Sequence, residues 1–264
     1  MPRPGHRSPR IEFMIDTTSP DTGRRGSYDR EARHYDARRY HSAEGRLFSE
    51  LEIEVLRSWL PLTPGQRILD APAGTGRLSI ALAVGGATVI GADVSGNMLG
   101  VAATKVRSGG GRVLFAQASA AQLPFADDTF DAVVSFKFFH LIPNSRKRLF
   151  VQEMARVLKP GAPLIIEFNS PYYGGILAGL RYYLRKKQPG GMRMKCLFPD
   201  QVPALFEGLH ITRRQGVKLP LSGILARIVG RHRVATMSHW FGSLPMLRYL
   251  TYAIVIEARK PTRR

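Results

Sequence analysis

Two aspartates and two glycines form the part of the sequence best suited to bind a small polar molecule. Asp70 ends an apolar run, and Gly74 and Gly76 follow it just before a stretch with helical spacing. Glycine lets the backbone turn sharply and approach a ligand, and the first N–H groups of a helix point toward whatever binds there. Asp93 ends a second apolar run 17 residues after Gly76, close to the spacing at which such a carboxylate takes ribose hydroxyls. The pattern predicts a nucleotide-binding turn.

The details of this turn argue against a dinucleotide. The third glycine of the dinucleotide pattern is missing, because residues 77–79 read Arg-Leu-Ser. The carboxylate of Asp70 would repel a pyrophosphate and attract an ammonium group. We therefore predict a nucleoside that carries an amino-acid-like cation.

Four segments follow one another in a specific order and spacing. They read Ile-Leu-Asp-Ala-Pro-Ala-Gly-Thr-Gly-Arg (68–77), Val-Ile-Gly-Ala-Asp-Val-Ser-Gly-Asn-Met-Leu (89–99), Gln-Leu-Pro-Phe-Ala-Asp-Asp-Thr-Phe-Asp-Ala-Val-Val-Ser (122–135) and His-Leu-Ile-Pro-Asn (140–144). Together they resemble the class I S-adenosylmethionine-dependent methyltransferases, and within that family the small-molecule branch that includes the ubiquinone and menaquinone biosynthesis enzymes. The resemblance covers roughly residues 67–168.

The resemblance implies S-adenosylmethionine as the cofactor and assigns its contacts. It implies that Asp70 and the Gly74–Gly76 turn hold the methionine part, that Asp93 holds the ribose and that Met98 covers the adenine. Two positions depart from the family pattern, since Pro72 replaces a common glycine and Ser119 replaces an aspartate near the adenine amino group. The full predicted cofactor set is Asp70, Ala71, Gly74, Gly76, Asp93, Val94, Met98, Ser119, Ala120 and Ser135.

Methyl transfer requires alignment of the reacting atoms and exclusion of water, and it needs a base only where the acceptor must lose a proton. His140 follows the fourth predicted strand on the ligand side, and an imidazole pKa near ~6.5 suits proton removal. We predict it as the catalytic base, with a structural histidine packed beside aromatic residues as the alternative. Lys137 and Glu167 are further candidates, although Lys137 could point to solvent and Glu167 could bond the following insertion. No metal site is predicted.

The elements that position these residues follow an alternating pattern. Short apolar runs predict five buried parallel strands separated by helices, and two later runs complete a seven-stranded sheet. The predicted fold is α/β, a Rossmann-like doubly wound sheet with helices on both faces and helical insertions near the C-terminus; the resemblance makes the last strand antiparallel. The predicted strands are 67–71, 88–93, 113–118, 132–136, 163–168, 210–217 and 252–258.

One domain accounts for residues 28–264, after a basic tail at 1–27 whose composition predicts disorder. Residues 28–60 have helical character, and in relatives the helices before the first strand close over the cofactor. Tyr35 and Tyr40 are therefore predicted lid residues, with packing against the sheet as the alternative. Insertions at 169–198 and 218–248 are predicted to build the substrate pocket, and Tyr172 is its candidate contact.

Charge is distributed unevenly along the chain. The 264 residues carry a net charge of +19, and residues 171–264 hold 17 Lys and Arg against 3 Asp and Glu. Such a surface attracts an anionic partner, either a membrane, an acidic substrate or nucleic acid, unless it is merely solvated. The single cysteine, Cys196, and the absence of a long apolar run predict a cytoplasmic protein with a peripheral membrane contact as an option.

The predicted function is methyl transfer from S-adenosylmethionine to a small lipophilic or aromatic acceptor, with O-, C- and N-methylation left open and no obligate protein partner. RNA methylation through the basic C-terminal third is an alternative, but residues 135–144 lack an Asn-Pro-Pro-Tyr-like run and the chain has no cysteine pair. Two competing predictions are a nicotinamide reductase, which would bind NAD(P) at the glycine turn, and a non-catalytic protein that binds the cofactor without turnover.

Overall fold

The centre of the computed structural model is a twisted sheet, and the structure describes residues 25–106, 112–173, 196 and 198–262. Seven strands of the described chain lie in the order β3-β2-β1-β4-β5-β7-β6. All run in the same direction except β7, which is antiparallel to both of its neighbours. The predicted fold class, including the antiparallel last strand, is confirmed. The strands are β1 Arg67–Asp70, β2 Thr88–Asp93, β3 Arg112–Gln117, β4 Ala132–Ser135, β5 Pro163–Asn169, β6 His210–Val217 and β7 Ala253–Arg259.

The strands β1, β2, β4 and β5 are buried on both faces, as their continuous apolar runs predicted. The prediction that β3 is buried as well is wrong, because β3 is an edge strand and its Leu114 is 49% exposed. Neighbouring residues of a strand point to opposite faces, and in β1 Leu69 joins one hydrophobic core while Ile68 joins the other. Phe150 of the helix at 144–157 packs in the first core, and Leu56 of the helix at 43–59 packs in the second. Two cores separated by one sheet define the doubly wound arrangement.

Helices connect the strands and precede the first of them. The helix that follows β2 is capped as expected, because Met98 N–H donates to Ser95 Oγ at 3.1 Å. The helices are α1 Arg25–Glu31, α2 Tyr35–Tyr40, α3 Ala43–Trp59, α4 Arg77–Ala83, α5 Gly96–Val106, α6 Asn144–Val157, α7 Val202–Leu205, α8 Ser222–Val229 and α9 Arg231–Ser243, with 3-10 segments at Ala32–His34, Pro199–Gln201 and Leu247–Leu250.

The two predicted insertions differ in how far the structure describes them. The insertion at 218–248 contains α8 and α9, so its predicted helical character is confirmed. Residues 174–195 of the other insertion, and residues 1–24 of the predicted tail, lie outside the described residues. None of the helices that the structure describes is long and apolar enough to cross a bilayer.

Candidate functional site

A cavity opens where β1, β2 and β4 end. Carboxyl ends of parallel strands meet at one edge of an open sheet, and the loops that follow them enclose the space above that edge. The described residues that line the cavity are Tyr28, Tyr35, Tyr40, Asp70, Pro72, Ala73, Gly74, Thr75, Arg77, Leu78, Asp93, Val94, Met98, Phe136, Lys137, Phe138, Leu141, Ile142 and Pro143.

The turn after β1 needs its glycines. Gly74 and Gly76 have φ values of +54° and +76°, in the left-handed region that side chains with a Cβ rarely adopt. A Cβ on Gly76 would also lie 2.8 Å from the Cβ of Ala102. Ala73 N–H donates to the carbonyl of Ala92 at 2.9 Å, which ties the turn to β2. Both predicted glycines therefore serve the turn that the sequence indicated.

Asp93 contacts the glycine turn and also lines the cavity. Its Oδ2 accepts a hydrogen bond from Gly74 N–H at 2.8 Å, and its Oδ1 accepts one from Ser95 N–H at 2.9 Å. A carboxylate has about four lone-pair positions, so one such group can hold a loop and also accept hydrogen bonds from a ligand. Asp93 is thus placed to brace the loop and to accept hydroxyl groups at the same time.

Asp70 lies at the end of β1 and also lines the cavity. Its Oδ2 accepts a hydrogen bond from Ser79 Oγ at 2.6 Å. Burial raises the pKa of Asp70 to about 7, although the Ser79 hydrogen bond and the Arg77 charge act in the opposite direction. A cation bound in the cavity would favour the ionised carboxylate, so the site is suited to an ammonium group.

The remaining residues of the predicted cofactor set divide into two groups. Val94 and Met98 line the cavity, whereas Ala71, Ser119, Ala120 and Ser135 are not among its described lining residues. Ser119 Oγ accepts a hydrogen bond from Ala121 N–H at 3.1 Å. The buried Ser135 hydroxyl has no hydrogen-bond partner within the part of the chain that the structure describes. Cofactor contacts for all ten residues of the predicted set stay predictions.

The N-terminal helices cover one side of the cavity. Tyr35 and Tyr40 line it, as the lid hypothesis predicts, and so does Tyr28, which was not predicted from the sequence. Hydrogen bonds anchor these helices to the ligand loops, because Asp36 Oδ1 accepts from Thr75 Oγ1 at 2.6 Å. Burial raises the pKa of Tyr35 to about 12, so its hydroxyl stays a hydrogen-bond donor.

Tyr172 lies elsewhere in the structure. Its ring packs against Phe198 with centroids 6.1 Å apart, and it is not among the described residues that line the cavity. The sequence predicted its insertion as a pocket wall but could not predict the direction of the side chain. A substrate contact for Tyr172 stays a prediction.

Beside the cavity lies an ionic cluster formed by Glu52, Arg77, Lys137 and Glu167. Arg77 Nη2 lies 2.6 Å from Glu52 Oε2, and the Lys137 ammonium pairs with Glu52 and, at 3.2 Å, with Glu167 Oε1. Both carboxylate side chains are at most 1% exposed. Lys137 therefore does not point freely to solvent, and Glu167 contacts it.

The two acids of the ionic cluster differ in acidity. Burial opposes ionisation of Glu52, but Lys137 and Arg77 outweigh it and hold the pKa of Glu52 below its ordinary value. Burial raises the pKa of Glu167 to about 7, because Lys137 compensates only partly and the charge of Glu52 adds to the rise. Glu167 is therefore the member of the cluster that takes up a proton near neutral pH.

Glu52 was not predicted from the sequence, although a signal was present. Acidic residues on helices usually face solvent, yet Glu52 continues the apolar spacing of α3 between Phe48 and Leu56. A carboxylate within a stripe that packs on the core must find a buried cation. Arg77, immediately after Gly76, and Lys137, close after β4, supply two.

His140 lies on the turn after β4 and is half-buried. Lys137, Phe138 and Leu141 from the same turn line the cavity, but His140 is not among the described lining residues. Its role as a base stays a prediction. Throughout the described ranges, the structure contains no group of three or more His, Cys, Asp or Glu side chains that could hold a metal ion.

Comparisons with known proteins find similarity over part of this chain. Residues 68–161 match a family described as a methyltransferase domain. Demethylmenaquinone methyltransferase of Clavibacter sepedonicus is 42% identical over 132 residues, covering 49% of this chain and 52% of the relative. The ubiquinone/menaquinone biosynthesis C-methyltransferase of Syntrophotalea carbinolica is 42% identical over 140 residues, covering 50% of this chain and 57% of the relative. The chain thus spans about half the length of these curated relatives.

Among solved structures, magnesium protoporphyrin IX methyltransferase from Synechocystis PCC 6803, with bound SAH, has a similar fold. The TM-score is 0.64 at 19% sequence identity, covering 90% of this chain and 99% of the other. At this identity the likeness concerns the fold alone.

Proposed function

We propose that the protein is a class I S-adenosylmethionine-dependent methyltransferase, which transfers a methyl group from S-adenosylmethionine to a small lipophilic or aromatic acceptor. The match of residues 68–161 to a methyltransferase domain and the similarity to quinone methyltransferases over half of the chain support the proposal. The observation that carries the proposal is a cavity whose described lining combines two kinds of side chain. The carboxylates of Asp70 and Asp93 lie at the ends of β1 and β2, and aromatic and aliphatic side chains such as Phe136, Phe138 and Leu141 lie on the loop after β4.

The side of the cavity at the ends of β1 and β2 has the hydrogen-bond acceptors that the cofactor requires. Asp70 pairs with the ammonium group of the methionine part, Asp93 accepts the ribose hydroxyls, and Met98 packs on the adenine. When bound, the cofactor supplies a methyl group made electrophilic by its sulfonium. The protein contributes orientation and exclusion of water, with Tyr35 and Tyr40 covering the cavity.

The side of the cavity formed by the loop after β4 favours an apolar acceptor. Its described lining contains aromatic and aliphatic side chains but a single ammonium group, that of Lys137. Because relatives over half of this chain are named as demethylmenaquinone and ubiquinone/menaquinone methyltransferases, quinols are the first acceptor class to test. A nicotinamide reductase is disfavoured, since a pyrophosphate in this turn would lie beside the carboxylates of Asp70 and Asp93.

Calorimetry with S-adenosylhomocysteine tests the cofactor and Asp70 together. We expect binding to wild type and none with NADH. Affinity should rise about tenfold from pH 6 to pH 8, because the ammonium group pairs only with ionised Asp70, whose pKa lies at about 7 in the free protein. Asp70→Asn should remove this pH dependence.

Methyl transfer is then measured with labelled S-adenosylmethionine and a panel of quinols, phenols and lipids. Absence of binding by either sulfur ligand would reject the proposal. Binding without transfer to any member of the panel would favour a non-catalytic cofactor-binding protein, and transfer to RNA would favour an RNA methyltransferase.

We also propose a peripheral contact with anionic membranes through α8 and α9. On α8, Ile224 and Ile228 are 55% and 73% exposed, and on α9 Trp240 is 64% exposed. Residues three and four apart share a helix face, so Ile224 and Ile228 lie together and the exposed Arg227 lies beside Ile224. Apolar side chains that enter the interface next to cations suit an anionic lipid surface.

Vesicle sedimentation tests this surface. Wild type is expected to pellet with vesicles that contain phosphatidylserine, less so with pure phosphatidylcholine or at high salt. The double variant Ile224→Asp/Ile228→Asp should stay in the supernatant. Val84→Asp is the matched control, since Val84 is 69% exposed but lies after α4. Equal pelleting of the double variant and wild type would identify the surface as merely solvated.

A further inference from the structure

Lys137 adopts a backbone conformation that is unusual for its residue type. Its φ is +57°, in the left-handed region where a residue with a Cβ is strained and glycine is not. Its N–H donates to Glu167 Oε2 at 3.2 Å, so the carboxylate that pairs with the ammonium group also holds the backbone. A lysine fixed in a strained position at a strand end motivates a functional hypothesis for its side chain.

The ammonium group of Lys137 is largely removed from water. Its side chain is 16% exposed, and its Nζ lies 3.3 Å from the ring centroid of Phe48 and 5.6 Å from that of Tyr252. Rings and carboxylates fix the position of the cation, and Lys137 is among the described residues that line the cavity. A desolvated cation attracts an anion more strongly than one in water.

The charges of the ionic cluster leave room for one more anion. Glu52 divides its carboxylate between Arg77 and Lys137. Burial raises the pKa of Glu167 to about 7, so this acid compensates the two cations only in part near neutral pH. Arg77 and Lys137 line the cavity, whereas neither acid is among its described lining residues, so a ligand in the cavity meets the cations of the ionic cluster.

We propose that Lys137 binds an anionic oxygen of the methyl acceptor, as a phenolate, enolate or carboxylate, and that Glu52 and Glu167 position its ammonium group. This inference rests on the proposed function. The hydroxyl proton leaves to solvent when the acceptor binds, and Lys137 keeps its own proton. The acceptor atom bonds the methyl carbon as the C–S bond breaks with its electron pair left on sulfur; a methylated carbon also loses its hydrogen as a proton.

The ionisation of 4-nitrophenol is the direct test, since its phenolate absorbs visible light. Bound to wild type in the presence of S-adenosylhomocysteine, the probe should ionise at lower pH than free in solution. Lys137→Met should abolish this shift and weaken phenolate binding about tenfold or more, the effect of removing a hydrogen bond to a charged group. Lys137→Arg should retain most of the ionisation shift and of the phenolate affinity. Lys159→Met, which removes a partner of Asp131 on the surface, should leave both at the wild-type level.

A charge-matched double variant controls for the possibility that loss of binding results from misfolding. Lys137→Gly/Glu167→Gln removes one cation and one acid together and places glycine at the left-handed position, so the fold should persist by circular dichroism. It should bind the phenolate as poorly as Lys137→Met. Wild-type phenolate binding by this folded variant would overturn the proposal.

Two further measurements separate the sources of the anion. If Lys137→Met weakens S-adenosylhomocysteine and leaves the phenolate shift intact, the lysine binds the carboxylate of the cofactor and the proposal is overturned. The titration is also repeated without S-adenosylhomocysteine. Lack of S-adenosylhomocysteine binding rejects the proposed function, whereas lack of the phenolate shift rejects the role of Lys137. Unchanged cofactor affinity together with loss of the shift supports the proposal.

Discussion

Replacing Asp93 with alanine is expected to weaken S-adenosylhomocysteine binding by about 100-fold or more while the sheet stays folded. The carboxylate accepts hydrogen bonds from Gly74 and Ser95 at 2.8 and 2.9 Å and faces the cavity in which the ribose is proposed to lie. Hydrogen bonds to a charged group contribute about 1.5–3 kcal/mol each, and about 1.4 kcal/mol corresponds to a factor of ten in affinity. Two lost ribose contacts therefore account for the expected effect.

The controls separate ribose recognition from support of the loop. Asp93→Asn keeps one accepting oxygen and should have an intermediate affinity. Asp131→Ala is the matched control, because Asp131 Oδ2 also accepts a backbone hydrogen bond, from Arg67 N–H at 2.9 Å, but at the opposite end of β1. The affinity of Asp131→Ala for S-adenosylhomocysteine should equal that of wild type. An Asp93→Ala affinity within a few-fold of wild type, measured by calorimetry, would reject the assignment of Asp93 to the ribose.

The sequence predicted the sheet and the glycine turn because their signals are local. An apolar run that ends in Asp70, followed by Gly74 and Gly76, specifies a strand, its ligand-side end and a tight turn within a few residues. The same holds for β2 and Asp93. No long-range contact is needed to recognise these features, so they were predictable.

The ionic cluster was not predictable in the same way. Its members, Glu52, Arg77, Lys137 and Glu167, come from four separate elements or their ends, and only the folded sheet brings them together. Side-chain direction on the turn after β4 is a second limit of prediction from sequence. Position along the chain made His140 the strongest candidate, whereas Lys137, and not His140, is among the described residues that line the cavity.

Replacing Glu52 with glutamine is expected to reduce the free energy of unfolding by about 3–5 kcal/mol, the range for breaking one partner out of a buried ion pair. Glu52 is fully buried and contacts both Arg77 and Lys137. Without the charge of Glu52, Glu167 is the one acid left in the ionic cluster to compensate the desolvated cations Arg77 and Lys137. The charge of Glu52 also raises the pKa of Glu167, so that acid should ionise more readily in the variant and offset part of the loss.

Glu50→Gln is the matched control, since it makes the same change on the same helix. Glu50 is 59% exposed and pairs with Arg231, which is 47% exposed. An exposed ion pair contributes about 1 kcal/mol or less, so urea unfolding should show a much smaller change. Equal losses in the two variants would mean that water reaches Glu52 and that the ionic cluster is not desolvated.

A double variant distinguishes stability from function in the ionic cluster. Glu52→Gln/Lys137→Met removes one charge of each sign, so its unfolding free energy should exceed that of Glu52→Gln alone, because groups in contact are not additive. The recovered protein should still fail to shift the ionisation of 4-nitrophenol, since the ammonium group is absent. If the double variant is more stable than Glu52→Gln and still does not bind the phenolate, Glu52 positions the ammonium group and Lys137 binds the acceptor.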